Sequence, residues 1–504
     1  MASVASISHL FSLPPVWLMA AGLFLAYRVG LMVWRVFFHP LARFPGPKLW
    51  ASSYLPYYYY TTYTGTLGKD ALKLHQKYGP IVRISPNRLA VDGSIGWSDI
   101  FAHRPGQPEF LKSADFYGTG RVGLLPSLRD DHRRQRRLVS HAFSSASMAD
   151  QEDYIKHYMD IFITRLREQM HTGKAVDMTR WYNFLTFDII GELAFGDSFQ
   201  CLESSDYHPW VSLIFNSVKS TVIYSFLNHY PLLRPLLYLV IGTKEIKDKE
   251  ESDELARVKT EKRLALGTDT RKDFMTSILK HNKDGAGMSH QEMLINARAF
   301  IVAGSETTAT TLSGLTYFLT HNRDIYDLLV KEIRESFTSD GEISLKTTAS
   351  LEYLKACVEE TLRAYPAAAD TPPRISPGAM VGGQYVPEGV YLNIYQWATH
   401  RSPRNFTDPD SFKPQRFLPA THPLYDARYA GDNKAAFKPF SAGPRDCVGK
   451  NLAYAEIRLA ITRLLWNFDI EAAPGQDDWA SSQLTFIVYE KGPLMIKIKP
   501  RVMT

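Results

Sequence analysis

Residues Phe440-Ser441-Ala442-Gly443-Pro444-Arg445-Asp446-Cys447-Val448-Gly449 place one thiol in a glycine-flanked loop, two positions after an arginine. Beyond the loop, Ala453, Ile457, Ile461, Leu465 and Phe468 recur at helical spacing, which predicts a helix opening near Lys450 or Asn451. The unpaired N–H groups and partial positive charge of a helix N-terminus favour a thiolate over a thiol. Gly443 and Gly449 allow a tight turn and let a flat partner approach the sulfur. A thiolate so placed is the axial ligand that a haem iron takes, and Arg445 is available to an anionic group on the same partner. A lone cysteine is more often a small buried apolar residue. Its spacing from Phe440, Gly443, Arg445 and Gly449 is what separates Cys447 from that reading.

Two further constellations carry chemistry. Ala303-Gly304-Ser305-Glu306-Thr307-Thr308 lies in a long apolar stretch that Ser289-x-x-Glu292 opens as a capping box, predicting a helix to about Thr320. Glycine within a helix costs about 1 kcal/mol relative to alanine, so Gly304 calls for a reason. One reason is a groove for a diatomic ligand above a metal, with Thr307 donating to that ligand and Glu306 relaying protons. The competing reason is plain helix packing. Glu360-Thr361-Leu362-Arg363 sits on a predicted helix striped by Leu351, Leu354, Val358 and Leu362, and its carboxylate and guanidinium share a face. Such pairs are usually solvated and worth about 0.3 kcal/mol.

The elements that position these residues are mostly helical. Met178, Trp181, Leu185, Ile189 and Leu193 line one helix face. Ile81–Ile84, a Ser85-Pro86-Asn87 turn and Arg88–Val91 read as a hairpin, and a second strand region covers Gln384–Val386 and Val390–Ile394. The 504 residues are 45% hydrophobic, enough for a large core, and a net charge of +6 does not point to nucleic acid. Three cysteines, Cys201, Cys357 and Cys447, argue for a reducing compartment.

The first 27 residues carry no Asp, Glu, Lys or Arg, and Val16–Tyr27 is almost purely apolar. Twelve residues make about 18 Å of helix, short of a ~30 Å hydrocarbon core. The span therefore extends either back to Leu10 through Pro14-Pro15 or on to Trp34 with Arg28 snorkelling. The stretch lacks the basic leader and cleavage signal of a secretory peptide. Arg28, Arg35, Arg43 and Lys48 within and after it place the bulk of the chain in the cytosol, so Asn405-Phe406-Thr407 is expected to stay unglycosylated. His39-Pro40-Leu41-Ala42-Arg43-Phe44-Pro45-Gly46-Pro47 is a stiff proline hinge. The expected order is an anchor over 1–38, a hinge over 39–50 and one catalytic domain over 51–504.

The pattern Phe-x-x-Gly-x-Arg-x-Cys-x-Gly resembles the haem-binding loop of the cytochrome P450 family. In the family's order the chain also carries its proline hinge, its oxygen-activating segment (Gly304, Glu306, Thr307) and its Glu-x-x-Arg pair. The wording, including Trp181–Gly191, is similar to fungal secondary-metabolism monooxygenases such as the isotrichodermin hydroxylase group. The resemblance implies a mainly α fold with small β-sheets, a single large haem domain behind an N-terminal membrane anchor. It implies Cys447 as axial ligand of haem b, with Phe440 and Gly449 beside it. Arg445, Arg374 and the pair His132 and Arg136 would hold the propionates. Arg416, from Phe412-Lys413-Pro414-Gln415-Arg416-Phe417, would join Glu360 and Arg363 in a buried structural triad, with Gln415 where the family more often has Glu. Pocket-lining positions would be Phe300, Ala303, Thr308, Ala368 to Thr371 and Phe486, and 221–243 would dip into the bilayer above them.

The implied enzyme is a monooxygenase on the endoplasmic reticulum membrane that uses O2 to hydroxylate or epoxidise a lipophilic small molecule. Electrons would come from NADPH through NADPH–cytochrome P450 reductase, with cytochrome b5 as an optional donor; basic residues of the 131–137 stretch with Lys438 and Lys450 would form a face for an acidic donor. A haem-thiolate isomerase or dehydratase, and a non-catalytic haem-binding protein, are the alternatives.

Overall fold

The computed structural model describes residues 14–118, 120–211, 243–268, 271–282, 287–486 and 488–501, with 226, 227 and 230 between. The 221–243 segment expected above the pocket therefore lies almost wholly outside the described residues. Seven helices frame the site: α1 (Pro14–Phe37), α2 (Arg129–Ala142), α3 (Ser145–His171), α4 (Met178–Phe195), α5 (His290–His321), α6 (Glu352–Ala364) and α7 (Lys450–Asn467).

The 24 residues of α1 give about 36 Å of helix. It continues through Arg28 to Phe37, so the extension past Trp34 is present, and the extension back to Leu10 lies outside the described residues. Val16–Phe37 is long and apolar enough to cross a membrane, and none of it is buried against the protein. The hinge that follows does not swing free. Leu41 and Phe44 pack with Ile81, Leu89 and Leu392, and the Arg83 N–H donates to Pro45 O at 2.7 Å.

That contact docks the hinge on a five-stranded sheet of β1 (Ile81–Ser85), β2 (Arg88–Val91), β3 (Leu111–Lys112), β4 (Arg374–Ile375) and β5 (Tyr391–Asn393), in the order β1-β2-β5-β4-β3. The predicted hairpin is present, with Ile81 opposite Val91. The second predicted strand region divides. Gln384–Val386 folds back on Ala379–Val381, whereas β5 runs parallel to β2, because Gly382 and Gly383, both with positive φ, close a separate hairpin. The main core is helical. Every residue of α4 except Arg180 is buried, and α4 lies along α5. The capping box at Ser289 and Glu292 opens α5 as predicted.

Candidate functional site

The loop before α7 is set by backbone geometry. Gly443 adopts φ +77° against the Phe101 carbonyl, where any Cβ would collide with the oxygen. Glycine is required there twice over, by conformation and by space. Gly449 differs: it caps α7 at an ordinary φ of −85°, and a Cβ would stand 3.7 Å from the Phe143 ring. The Cys447 N–H donates to Phe440 O at 2.9 Å, closing the loop. Phe440 packs on Tyr454, ring centres 5.0 Å apart.

Cys447 is set among close neighbours, yet it keeps accessible surface, unlike the buried Cys201 and Cys357. Burial pushes its thiol up. The Gly449 N–H and the charges of Arg136 and Lys450 pull the other way and do not overcome it, while Asp446 adds to the rise. The helix end therefore does not by itself make the thiolate expected from sequence. A cation bonded to sulfur would.

Facing the loop is α5. Phe143 links the two, since it lies beside Gly449 and its ring centre is 5.8 Å from that of Phe300 on α5. One turn on, Ala303 is exposed and Thr307 half-buried although the helix runs through the core, so both line interior space. The Thr307 hydroxyl donates to Ala303 O at 2.7 Å, and the helix is continuous rather than broken there.

Gly304 corrects the groove reading. Its missing side chain points at Ile190 of α4, where a Cβ would come within 2.8 Å of Cδ1. It is a packing glycine in this structure. Glu306 turns to the opposite side, buried in an ion pair with Lys491, which also donates to Thr310 Oγ1 at 2.7 Å. This pair borders a 370 Å³ cavity that Asn183, Tyr207 and Phe486 also line.

The four residues nominated for an anionic partner come together. His132 and Arg136 of α2, Arg374 of β4 and Arg445 all line one 440 Å³ cavity. Beside it Lys112 of β3 stands opposite Arg374 in the ladder. Sequence reasoning missed Lys112, since a two-residue strand carries no periodic signal. Arg445 pairs with Glu109 and donates to Ser127 O at 3.0 Å; Arg136 pairs with Asp446 at 2.7 Å. Arg374 lies 4.9 Å from the Phe101 ring centre.

The charges show mutual strain. Burial, then Arg374 and Arg445, lower Lys112 well below its ordinary range. His132 falls to about 3 through burial and the charges of Arg445, Lys112 and Arg136, so it is neutral. Burial would raise Glu109, but the hydrogen bond and charge of Arg445 outweigh it and hold the carboxyl down. Arg136, Arg374 and Arg445 thus share the cavity wall with four more arginines (Arg104, Arg129, Arg133, Arg137) and with Glu109 as its carboxylate, while Lys112 and the Arg136 partner Asp446 stand beside it. A dianion placed there would balance them. Haem, with two propionates at one edge and an iron for Cys447, fits this donor set.

Behind the site, the predicted triad is assembled and buried. Arg363 grips Glu360 through two bonds at 2.7 and 2.8 Å, and Arg416 Nε lies 3.0 Å from the same carboxylate. Two partners were not foreseen. Asp432 pairs with Arg416 at 2.5 Å, and the Lys413 N–H donates to Glu360 at 2.7 Å. Asn405 of the sequon is buried and donates to Asp92 and to Thr399 O, so its amide is not available to a modifying enzyme in the folded protein.

With that geometry in place, comparison with known proteins is informative. The Cytochrome P450 family matches residues 45–498. The chain is 42% identical over 484 residues to the cytochrome P450 monooxygenase astJ of Aspergillus oryzae, covering 95% of each chain. It is 41% identical over 497 residues to the trichothecene C-15 hydroxylase of Fusarium sporotrichioides, covering 97% of this chain and 99% of that one. It is 38% identical over 487 residues to the averantin hydroxylase of Dothistroma septosporum, covering 96% and 91% respectively.

Proposed function

The chain belongs to the cytochrome P450 family, and we propose that it is a haem-thiolate monooxygenase adding one oxygen atom from O2 to a lipophilic small molecule of fungal secondary metabolism, by hydroxylation or epoxidation. The observation that carries this reading is the pairing of an accessible Cys447 below α5 with an excess of cations around the cavity beside it. Haem b, when bound, supplies reductive activation of O2. The residues supply position, charge and exclusion of water.

Cys447 would bind the iron, and Arg136, Arg374, Arg445 and neutral His132 would hold the propionate edge, with Lys112 contributing charge. Ala303 leaves room on the inner face of α5, where Thr307 presents a hydroxyl already bonded to a backbone carbonyl. Glu306 and Thr307 would serve as an acid–alcohol pair moving protons inward from the cavity shared with Lys491. Glu306 must loosen from Lys491 to do so. Glu360, Arg363 and Arg416 hold the scaffold and take no part in chemistry.

NADPH–cytochrome P450 reductase would deliver electrons, with cytochrome b5 as a second donor, at the basic surface of α2 with Lys438 and Lys450. The helix α1 would anchor residues 1–38 in the endoplasmic reticulum membrane, with a single catalytic domain over 51–504 in the cytosol.

The test is comparative mass spectrometry of the producing organism with and without the gene, grown under labelled O2. The expected result is an accumulating compound lighter by one oxygen than the one lost, the lost compound carrying label. Equal masses would identify an isomerase instead. No change in a strain that expresses the gene would point to a non-catalytic haem protein. Cys447→Ala should reproduce the deletion and abolish haem binding.

A further inference from the structure

A small cavity of 90 Å³ lies where Asp370 and Thr371, the end of the Ala368 to Thr371 stretch expected to line the substrate pocket, meet Phe486, expected there too. It is not apolar. Asp370, Arg88, Thr371 and Asn393 line it together with Tyr57 and Tyr395. At about 30 Å³ per water, it holds one functional group of a larger molecule rather than a whole substrate.

Arg88 is held in place on several sides. It is buried, it donates to Asn393 Oδ1 at 2.8 Å, and its guanidinium lies 4.6 and 4.8 Å from the ring centres of Tyr57 and Tyr391. Asn393 is fixed in turn by donating to Thr371 O at 2.7 Å. Asp370 is the opposite case. Among the described residues no side chain bonds its carboxyl; only its own backbone N–H does, and Arg88 acts on it through charge alone. Burial lifts Asp370 to about 7, with Arg88 opposing, so the group offers both a donor and an acceptor near neutral pH.

An apolar group filling this space would shut the half-buried Asp370 carboxyl off from water with no partner in its place. A protonated amine would meet the fixed charge of Arg88, and the second carboxylate on the wall, Asp115, is already taken by the Tyr391 hydroxyl at 2.7 Å. A neutral hydroxyl meets neither penalty: it can donate to the ionised Asp370 carboxylate and accept from the protonated acid. We propose that Asp370, with Arg88 behind it, forms a polar subsite that takes a hydroxyl group already present on an otherwise apolar substrate, away from the carbon to be oxidised. The enzyme would then act after an earlier hydroxylation or ketone reduction has installed that group. This rests on the monooxygenase reading above.

The experiment titrates the spin-state shift of full-length haem protein with matched probes: farnesol, farnesyl methyl ether and farnesylamine, and 1-dodecanol with its methyl ether and amine. The native chain should bind each alcohol at least tenfold more tightly than its ether, the loss expected when a buried polar group is left unpaired. Asp370→Leu should erase that preference while leaving ether affinity within about twofold, and Asp370→Asn, which keeps an acceptor, should retain part of it. Equal affinity for alcohol and ether, no binding by any alcohol, tightest binding by an amine, or an unchanged preference in Asp370→Leu would each overturn the proposal. The thiolate-type band of the reduced carbon monoxide complex separates the two readings. Its absence from the native chain defeats the monooxygenase assignment, whereas its presence without alcohol preference defeats only the subsite. Should Asp370→Leu not fold, the Asn variant alone must show a reduced preference.

Discussion

Glu360→Gln isolates the charge of the buried triad while keeping its shape. The native carboxylate receives bonds from Arg363 at 2.7 and 2.8 Å and from the Lys413 N–H at 2.7 Å, and Arg416 lies at 3.0 Å. Glu360 and Arg363 are fully buried and Arg416 is 2% exposed, so water cannot replace what is lost. With glutamine, Asp432 still neutralises Arg416, but Arg363 keeps only carbonyl partners at His400, Pro409 and Ser411. Leaving one buried charge without its partner costs about 3–5 kcal/mol. A domain of about 450 residues has an unfolding entropy near 1 kcal/mol per degree, so Tm should fall by only about 3–5 °C. The population of unfolded chains nevertheless rises more than a hundredfold. The assay is thermal unfolding at matched haem occupancy, alongside turnover per mole of bound haem, which should stay at the native value. A second variant sharpens the test. Glu360→Gln with Arg363→Met removes the stranded cation, so the double variant should be less destabilised than the two single losses combined, by about 1–2 kcal/mol. A Tm within 1 °C of native for Glu360→Gln, or strict additivity, would refute the view that the pair compensates charge.

Gly443→Ala should abolish haem capture in cells, because the added carbon meets the Phe101 carbonyl at a φ of +77°; full haem content would show that the loop can move as a unit. His400, buried between the rings of Phe406 and Phe437, is lowered to about 3 by burial and then by Arg363. Its neutral form contributes stability that is complete above pH 6.5 and lost as pH falls towards 3. His400→Phe should therefore gain about 2 kcal/mol on the native chain between pH 7.5 and 5, read from denaturant unfolding at each pH, and a pH-independent difference would remove His400 as the source. Lys491→Met strands the Glu306 carboxylate, so product formed per NADPH consumed should drop severalfold while the carbon monoxide band persists; unchanged coupling would show that this pair has no part in proton delivery.

What could be read in the sequence was what lies close together along the chain. Cys447, Arg445 and Gly443 fall within five residues, and Glu360 and Arg363 within four, so spacing alone brought them into view. His132, Arg136 and Arg374 needed the resemblance, and the structure gathers them around one cavity. Lys491 reaches Glu306 across 185 residues and Arg445 reaches Glu109 across 336, and no periodicity encodes such contacts. Lys112 and Asp432 escaped notice for the same reason, and Asp370 was placed only as part of the Ala368 to Thr371 stretch: each is an ordinary polar residue until its neighbours are known. Gly304 was misjudged for a different one. A glycine leaves the same mark in a sequence whether it makes room for a ligand or for a neighbouring helix.

The consequence is clearest along α5, where consecutive residues serve different neighbours. Gly304 admits Ile190 and fixes the helix against α4. Glu306 faces Lys491 and the outer cavity, and Thr307 faces the interior with Ala303. Thr308 is buried and hydrogen-bonded to Glu456 on α7, the helix whose first turn follows Cys447. Thr308 thus braces the helix that carries Thr307 against the helix that follows the thiol. Burial raises Glu456 to about 8, so at neutral pH the brace is an uncharged acid bonded to a hydroxyl. Its contribution runs opposite to that of His400: relative to an unfolded value near 4.5, the folded state is favoured by this acid below pH 8 and loses that advantage as unfolded chains retain fewer protons with rising pH. A helix braced by a neutral acid on one face and by a packing glycine on another leaves Thr307 little freedom of its own, which is what a hydroxyl that must meet a small ligand at a fixed height requires.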